Sequence, residues 1–386
     1  MELRYADEQL ALRAELREYF AGLMTDERRA GLETGDDYGD GVAYKEIVRQ
    51  LGKDGWLTIG WPKEYGGAGR GPLDQSIFAD EASAARVPVP FLTVNTVGPT
   101  IMRYGSEEQR SYYLPKISAG ELHCSVGYSE PGAGTDLASL RTTAVLDGDE
   151  WVINGQKMWT SLIRYADYVW LACRTEPDAP AHKAISMLLV PTTAEGFSWT
   201  PVHTMAGPTT SATYFENVRV PKDALIGERG RGWSLITNQL NEERVALSPS
   251  APLSEALRAV LDWARETGAI EREWVRANLA EVHAKTEVLR LMNLRIAAET
   301  EQVKPANASA TKIYGTELST EGYRLLMEVL GARSVVRTGS ADALLRGRVE
   351  RMHRASLILT FGGGTNEIQR DIIGGHGLGL PLNKRR

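Results

Sequence analysis

The chain is poor in cysteine, in paired histidines and in long apolar runs, and each scarcity excludes a class of protein. Its 386 residues include two cysteines, Cys124 and Cys173, and both lie in apolar, strand-like runs. We expect core thiols rather than a disulfide or a metal pair. The six histidines are scattered, with no HExxH motif, no CxxC pair and no two histidines on one helix face. This distribution predicts no metal site.

An excess of positive charge is also lacking. The formal net charge is -6 at pH 7, which argues against nucleic acid or an anionic membrane as the main partner. No apolar run approaches the roughly 18 residues of a membrane span, and the charged first residues are unlike a secretory signal. We therefore expect a cytoplasmic protein.

Glycine is abundant, but it does not form a dinucleotide-binding motif. None of the 38 glycines belongs to a G-x-G-x-x-G that follows a strand and opens a helix in a βαβ unit. A Rossmann fold is therefore not expected.

The periodicity of apolar residues divides the chain into three parts and predicts an α+β protein. Residues 1–121 favour helix, residues 122–228 alternate and turn like strands, and residues 229–386 favour helix again. The predicted helices cover residues 5–24, 45–54, 72–90, 106–120, 231–247, 252–268, 273–302, 305–330, 340–360 and 365–373. In the first helix, the apolar residues at helical spacing are Leu10, Leu12, Leu16, Phe20 and Leu23.

The stretch 124–174 carries the features that point to a site. A strand-like run leads into the polar loop Tyr128–Asp136, where Gly132 and Gly134 can take positive φ and permit close approach of a bound group. The Ser129 and Thr135 hydroxyls beside backbone N–H groups suit a polar ring edge or a phosphate.

Strand patterns with two turns follow the loop. Asp147–Glu150 predicts one hairpin turn and Asn154-Gly155 a second. Trp159 then stands beside the hydroxyls of Thr160 and Ser161. A flat aromatic facing a glycine-rich loop is what a planar cofactor needs, although an ordinary β-sandwich with hairpin turns explains the same pattern.

The segments YSEPGAGTDLASL and INGQKMWTS resemble the flavin-binding signature of acyl-CoA dehydrogenases. The similarity extends along nearly the whole chain through EYGGAG, YGSEEQRSYYLPKISAGE, FENVRVPKDALIGERGRGW and GGGTNEIQR, in the family's order. The resemblance implies an N-terminal helical domain, a middle β-sandwich-like domain and a C-terminal four-helix bundle. It also implies FAD, an acyl-CoA substrate and an electron-transfer flavoprotein as electron acceptor.

A candidate base lies on the predicted helix 231–247. Trp233, Ile236, Leu240 and Leu247 form an apolar stripe, and Glu243 and Arg244 fill the gap within it. Desolvation raises the pKa of a carboxyl in such a place, as a general base near neutrality requires. A structural ion pair between Glu243 and Arg244 or another residue is the alternative.

The resemblance favours the catalytic role. Most acyl-CoA dehydrogenases carry their glutamate just before the Gly-Thr of the C-terminal motif, and that position is Gly363 here. Some members, such as isovaleryl- and long-chain-type enzymes, instead place it immediately before a helix arginine. Glu243, followed by Arg244, matches that second place.

The chemistry implied is α,β-dehydrogenation of a thioester. Glu243 would remove the pro-R α-proton, Arg244 would orient it, and the β-hydrogen would leave as hydride to flavin N5. The thioester carbonyl would be held by the backbone N–H of Gly363 and a flavin ribityl hydroxyl, and Asn241 matches a residue near the CoA amide.

The resemblance also assigns the cofactor contacts. Trp159 would pack on the flavin ring and Ser161 would bond to its polar edge. Thr365 and Glu367 match positions that contact the nucleotide part of the flavin, and the family pattern has glutamine at the position of Glu367. The residues lining the flavin and the thioester end would be Tyr128, Ser129, Gly134 and Thr135.

One half of a family flavin site is absent. In homotetrameric members a neighbouring subunit lends an Arg-x-x-Phe-Gly motif and a Gln-x-x-Gly-Gly-x-Gly loop. The matching stretches here are 265–270, which lacks Phe-Gly, and 328–334, where Glu328 replaces the glutamine. The pattern resembles the actinobacterial α2β2 acyl-CoA dehydrogenases of steroid side-chain CoA esters, in which a related partner chain lends the arginine. The glycine run 362–364 fits a wide pocket, and turn geometry explains it equally well.

Two other functions fit the same motifs. A flavin monooxygenase or nitro-compound oxidase shares this architecture and can lack the usual glutamate. A non-catalytic partner subunit would account for Gly363 and the lost arginine motif, and the retained Glu243-Arg244 pair argues against it.

Overall fold

The computed structural model describes residues 4–32, 38–207, 209–246, 248–297 and 304–381, without the side chains of residues 240–246. Helices precede and follow a central sheet, so the predicted α+β class is confirmed. Within the described residues, no helix is long and apolar enough to cross a bilayer.

The N-terminal part consists of α1 (Asp7–Leu23), α2 (Asp26–Leu32), α3 (Val42–Lys53), α4 (Pro72–Ala85), α5 (Gly98–Tyr104) and α6 (Glu107–Ser118). Leu12, Leu16 and Phe20 of α1 are buried at intervals of four residues, as predicted. Leu10 is half-exposed, because two residues along a helix turn a side chain about 200° away.

Two predicted helices are shorter than expected, and local backbone chemistry explains both. Helix α4 ends at Ala85 because Arg86 is left-handed, with φ +58°, and because Pro88 disfavours helix in the residue before it. The last long helix begins at Arg348 rather than near 340, since Leu345 and Arg346 have φ of +48° and +57°.

The middle part holds β1 (Cys124–Gly127), β2 (Thr143–Asp147), β3 (Glu150–Lys157), β4 (Tyr168–Arg174), β5 (Ile185–Pro191), β6 (Phe197–Val202), β7 (Thr210–Pro221) and β8 (Leu225–Ile226). The strand order is β6-β7-β3-β2-β4-β5-β8, with β1 beside β4. The hairpin at Gly148 is as predicted, with Asp147 opposite Glu150. The predicted turn at Asn154-Gly155 is wrong: β3 continues through it, and its register with β7 shifts there.

The sheet has two halves, β6-β7-β3-β2 and β4-β5-β8, and among the described residues they meet through the pair Thr143 and Arg174. One core joins residues of both halves, such as Trp151 and Ile153 of β3 with Leu171 of β4. The alternate side chains of β4 and β5 enter the core of the N-terminal helices. Burial on both faces explains the continuous apolar runs of these strands.

The C-terminal part contains α7 (Gly232–Ala246), α8 (Ala251–Glu266), α9 (Glu273–Ala297), α10 (Pro305–Leu330), α11 (Arg348–Leu359) and α12 (Asn366–Ile372). Helix α10 packs against α7, α8 and α9, and α8 packs against α9, which gives the four-helix arrangement. Helices α11 and α12 lie against α10.

Both cysteines are buried and free, which confirms the prediction of core thiols. Burial raises the pKa of the Cys173 thiol to about 12.

Candidate functional site

The loop after β1 is closed by two backbone hydrogen bonds. The N–H of Glu130 donates to the carbonyl of Ala133 at 2.9 Å, and the N–H of Ala133 donates back at 3.1 Å. Gly132 and Gly134 can take positive φ, but neither has a positive φ in this loop. A Cβ atom at either glycine would meet nothing within 4 Å. The two positions therefore border open space.

A buried ion pair fixes this loop to β3. The Lys157 Nζ donates to Glu130 Oε1 at 2.8 Å, and the exposed fractions of the two side chains are 0% and 8%. Glu130 also accepts the backbone N–H groups of Arg141 and Thr142 and the Thr142 hydroxyl. Burial alone would raise the pKa of Glu130, but the Lys157 charge and these hydrogen bonds outweigh it and lower the pKa.

Trp159 is an exposed aromatic platform next to the loop. It is 56% exposed, and its φ of +68° is strained for a residue with a side chain. An open cavity of about 480 Å³ is lined by Trp159, Met158 and Pro131, with Tyr214 of β7 among the remaining walls. The structure thus brings the predicted aromatic and the predicted loop to one cavity.

The predicted hydroxyl groups lie around these features. The Ser129 carbonyl accepts the N–H of Met158 at 2.8 Å, and Thr135 is exposed. The Ser161 hydroxyl lies 3.2 Å from that of Thr210. Ser161 is exposed, whereas the neighbouring Thr160 is completely buried.

Tyr128 links the loop to α7. Its hydroxyl donates to Gln239 Oε1 at 2.7 Å. The indole Nε1 of Trp170 lies 3.0 Å from the Tyr128 hydroxyl and 3.2 Å from Gln239 Oε1, and it donates between these two acceptors. Gln239 is 2% exposed. Sequence reasoning missed Gln239, because a lone glutamine in a helix carries no signal of a partner 111 residues away.

The glycine run 362–364 forms a tight bend before α12. Gly363 and Gly364 have φ of +67° and +89°. The completely buried Lys312 of α10 donates to the Gly364 carbonyl at 2.9 Å and to Asn366 Oδ1 at 2.8 Å. Gln369 Nε2 donates to the Gly363 carbonyl at 3.4 Å. The bend is therefore held from beneath by two buried side chains.

Thr365 and Glu367 follow the bend. The Thr365 hydroxyl caps α12 by accepting the N–H of Ile368 at 3.3 Å. Glu367 is exposed in the first turn. Hydrogen bonds from its own backbone N–H and from the Thr365 hydroxyl lower the pKa of the Glu367 carboxyl.

Glu243, Arg244 and Asn241 lie on α7, but their side chains are outside the described residues. The earlier part of the predicted stripe is confirmed. Ile236 is completely buried and Trp233 packs against the same core. The side chain of Leu240 and the whole of Leu247 also lie outside the described residues.

The stretches that matched the lent half-site are engaged within the chain. Arg265, at the end of α8, has its guanidinium 3.6 Å from the Asp262 carboxylate, and both side chains are mostly exposed. Glu328 accepts hydrogen bonds from Arg324 and from Asn278. Among the residues described, no group of three or more His, Cys, Asp or Glu side chains could hold a metal ion.

Comparison with known proteins places these features in one family. Three models match in order: the acyl-CoA dehydrogenase N-terminal domain at residues 6–121, the middle domain at 125–218 and the C-terminal domain at 230–378. The acyl-CoA dehydrogenase FadE26 of Mycobacterium tuberculosis is 62% identical over 400 residues, covering 100% of both chains.

Solved structures agree. A chain in the crystal structure of the ChsE4-ChsE5 complex from Mycobacterium tuberculosis is 62% identical, with a TM-score of 0.93 over 99% of this chain and 100% of that one. A chain of the Tcur3481-Tcur3483 steroid ACAD is 49% identical, with a TM-score of 0.94 over 99% and 100%. The chain therefore belongs to the acyl-CoA dehydrogenase family, whose members are in general flavoproteins.

Proposed function

We propose that this acyl-CoA dehydrogenase uses FAD and the base Glu243 to introduce an α,β double bond into a bulky acyl-CoA thioester, most specifically a steroid side-chain ester. The observation that carries the proposal is the bend at 362–364. Gly363 and Gly364 present no side chain there, so a proton acceptor has to come from another element.

Helix α7 is the element that can supply it. Ile236 and Gln239 are buried, and helical periodicity would put Glu243, seven and four residues later, on the same face of α7. A carboxylate on such a face would be desolvated, and desolvation raises the pKa of a carboxyl toward the range of a general base. Glu243 would accept the α-proton, and Arg244 beside it would orient the carboxylate.

The bend would stabilise the negative charge that develops on the thioester oxygen. Its backbone is fixed by Lys312 and Gln369. A backbone N–H that is already held in place, such as that of Gly363, stabilises an enolate without reorganising at the moment of reaction.

The residues around Trp159 fit a flavin. The exposed indole of Trp159 offers a surface for stacking. The open space beside Gly134 leaves space for a bound ring, and the exposed Ser161 hydroxyl offers a hydrogen-bonding group. Tyr128, Ser129 and Thr135 would line the same place. When bound, FAD would supply the acceptor for the hydride that leaves the β-carbon. Thr365 and Glu367 would approach the nucleotide part, although the anionic Glu367 suits a diphosphate poorly.

The preference for a bulky substrate is supported by the three consecutive glycines and by the likeness to a protein described as a steroid ACAD. Thr135, Asn241 and Gly363 would contact the thioester and CoA, and an electron-transfer flavoprotein would receive the electrons.

A related partner chain would complete the flavin site, as an α2β2 complex. Glu328 is negatively charged and already bonded to Arg324 and Asn278, so it would repel a neighbour's diphosphate rather than bind it. The names ChsE4-ChsE5 and Tcur3481-Tcur3483 each describe a protein of two components.

The test compares Glu243→Gln with Glu242→Gln in the purified complex, using a steroid side-chain CoA ester and an artificial electron acceptor. Loss of a general base lowers kcat by about 10²–10⁴-fold, and we expect this for Glu243→Gln with flavin content retained. Glu242 lies 100° further round the helix, so its variant should keep near-normal turnover. Equal turnover of Glu243→Gln and the wild type would refute the assignment.

A further inference from the structure

A second cavity lies between the N-terminal helices and the C-terminal helices. Its volume is about 350 Å³, which is within the usual range of small-molecule sites. Residues of α1, α2 and α4 form one side, and residues of α8 and α9 form the other. None of its walls belongs to the loop 128–136, to Trp159 or to the bend 362–364. The cavity is therefore separate from the proposed dehydrogenase site.

The walls of this cavity carry an excess of positive charge. Five arginines and three acidic residues line it. One of the acids, Glu81, is 4% exposed and is shared by two arginines. Arg13 Nε donates to its carboxylate at 2.6 Å and Arg17 Nε at 2.7 Å. A single carboxylate therefore balances only one of these two guanidinium charges.

The other two acids do not remove the excess. Asp80 Oδ1 accepts the backbone N–H of Ala251 at 3.3 Å, at the start of the 16-residue helix α8, where the helix dipole is positive. Glu255 pairs with Arg258 at 2.8 Å. Each of these carboxylates is thus engaged by the helix terminus or by one arginine.

Arg29 adds a charge that no acid balances within the described residues. Its Nε donates to the carbonyl of Met24 at 3.1 Å, and one terminal nitrogen donates to the carbonyl of Ala85 at 3.2 Å. Neutral carbonyl groups hold the guanidinium in place and leave its full charge beside the cavity.

Arg13 and Arg290 lie on opposite sides of the cavity, and each uses Nε to bind an acid. Arg290 Nε donates to Glu287 at 2.8 Å. The terminal nitrogens of both arginines donate to no described residue, and the side chains are 21% and 30% exposed. A guanidinium that is fixed through Nε presents its terminal nitrogens as a fork, the geometry that binds a carboxylate or phosphate through two hydrogen bonds.

We propose that this cavity is a binding site for a small carboxylate or phosphate anion, held by the terminal nitrogens of Arg13 on one side and Arg290 on the other. The bound anion would offset the excess positive charge and satisfy donors that are partly removed from water. Arg17 and Arg258, which are 61% and 67% exposed, would attract the anion from solution. Because Arg13 and Arg290 belong to different parts of the chain, binding would join the two parts and stabilise the folded state.

The experiment measures anion binding to the purified flavin-loaded complex by melting temperature and by isothermal titration calorimetry. The probes are sodium phosphate and sodium acetate, each compared with sodium chloride at the same ionic strength. We expect a saturable rise in melting temperature with at least one of the two anions and none with chloride. Saturation by phosphate alone identifies the ligand as a phosphate, saturation by acetate alone identifies it as a carboxylate, and saturation by both identifies a site for either group. Saturation by neither would overturn the inference.

Arg290→Gln is the main variant, because Glu287 is 42% exposed and stays hydrated when its partner is lost. The variant removes the fork and its charge, so the dissociation constant should rise about tenfold or more. Arg295→Gln is the matched control: it makes the same change on the same helix, at an exposed residue outside the cavity walls, and should bind like the wild type. Equal affinity of Arg290→Gln and the wild type would overturn the inference. So would an equal loss in both variants, which would indicate a general charge effect.

Arg13→Lys tests the other side of the cavity. It keeps a positive charge beside Glu81 but lacks the fork, and we expect weaker binding of the same probe; an unchanged affinity would contradict a two-sided site. Neither readout depends on turnover, so the outcome is independent of the proposed function and of Glu243.

Discussion

Replacing Lys157 by methionine should strongly destabilise the protein, because it leaves the Glu130 carboxylate buried without its counter-charge. Removing one partner of a buried ion pair costs about 3–5 kcal/mol. Three hydrogen bonds to Glu130 from Arg141 and Thr142 would remain and partly solvate the charge. Methionine fills the space of the lysine stem. We therefore expect the free energy of unfolding of Lys157→Met to fall by about 3 kcal/mol near pH 7, at the lower end of that range.

The pH dependence gives a second readout. In the wild type the lowered pKa of Glu130 means that its stabilising contribution is present above the ordinary glutamate pKa and lost as pH falls through the lowered value. In Lys157→Met, burial raises the Glu130 pKa, so the carboxyl is protonated at higher pH and its burial becomes less unfavourable. The difference in stability between variant and wild type should narrow toward about pH 4.

Urea unfolding followed by circular dichroism measures both effects. The matched control is Lys222→Met, since Lys222 pairs with Asp149 at 2.7 Å but the two side chains are 65% and 85% exposed. Screening by water makes such a pair weak, and its unfolding curve should superimpose on the wild type. A loss below about 1 kcal/mol for Lys157→Met would refute the reasoning.

Three further predictions follow from particular residues. The double variant Glu243→Gly with Gly363→Glu should recover part of the turnover lost in Glu243→Gly, and a smaller acyl-CoA should be its better substrate. A glutamate with the left-handed backbone of position 363 costs about 1 kcal/mol. No recovery in steady-state assays would contradict the idea of two interchangeable base positions. Gly155→Ala should lower the melting temperature by several degrees or prevent folding. The φ of residue 155 is +151°, and the Cβ of an alanine there would lie 2.5 Å from the Thr142 hydroxyl oxygen. An unchanged melting curve would contradict this prediction. Burial lowers the pKa of His123 to about 4, so the unfolded chain binds more protons than the folded chain between pH 6.5 and 4. The free energy of unfolding should therefore decrease as the pH falls through that window, by up to about 3 kcal/mol. The free energy of unfolding of His123→Asn should depend less steeply on pH, and equal slopes for variant and wild type would disprove the contribution.

Local chemistry predicted much of the fold. The apolar spacing of Leu12, Leu16 and Phe20 defined α1, and Gly148 defined a hairpin. The same rules failed at Asn154-Gly155, because pairing of β3 with β7 carries the strand through a sequence that alone favours a turn. Leu10 lies two residues before Leu12 and therefore off this apolar stripe, so its side chain is half-exposed.

The candidate site was predictable where a residue type suggests its chemistry, and not where the chemistry depends on a distant partner. Trp159 and the loop could be paired because they are close in sequence. The buried bonds from Lys157 to Glu130 and from Tyr128 to Gln239 join residues 27 and 111 positions apart. No spacing rule encodes such contacts.

The flavin-to-chain ratio tests the central claim most directly. It should be measured for this chain purified alone and for the chain co-expressed with a related partner. The proposal predicts little flavin alone and about one flavin per two chains in the complex, because under it this chain provides the ring-binding residues and does not lend a half-site to a neighbour. Close to one flavin per chain in the protein alone would contradict it, since the chain would then complete its own site.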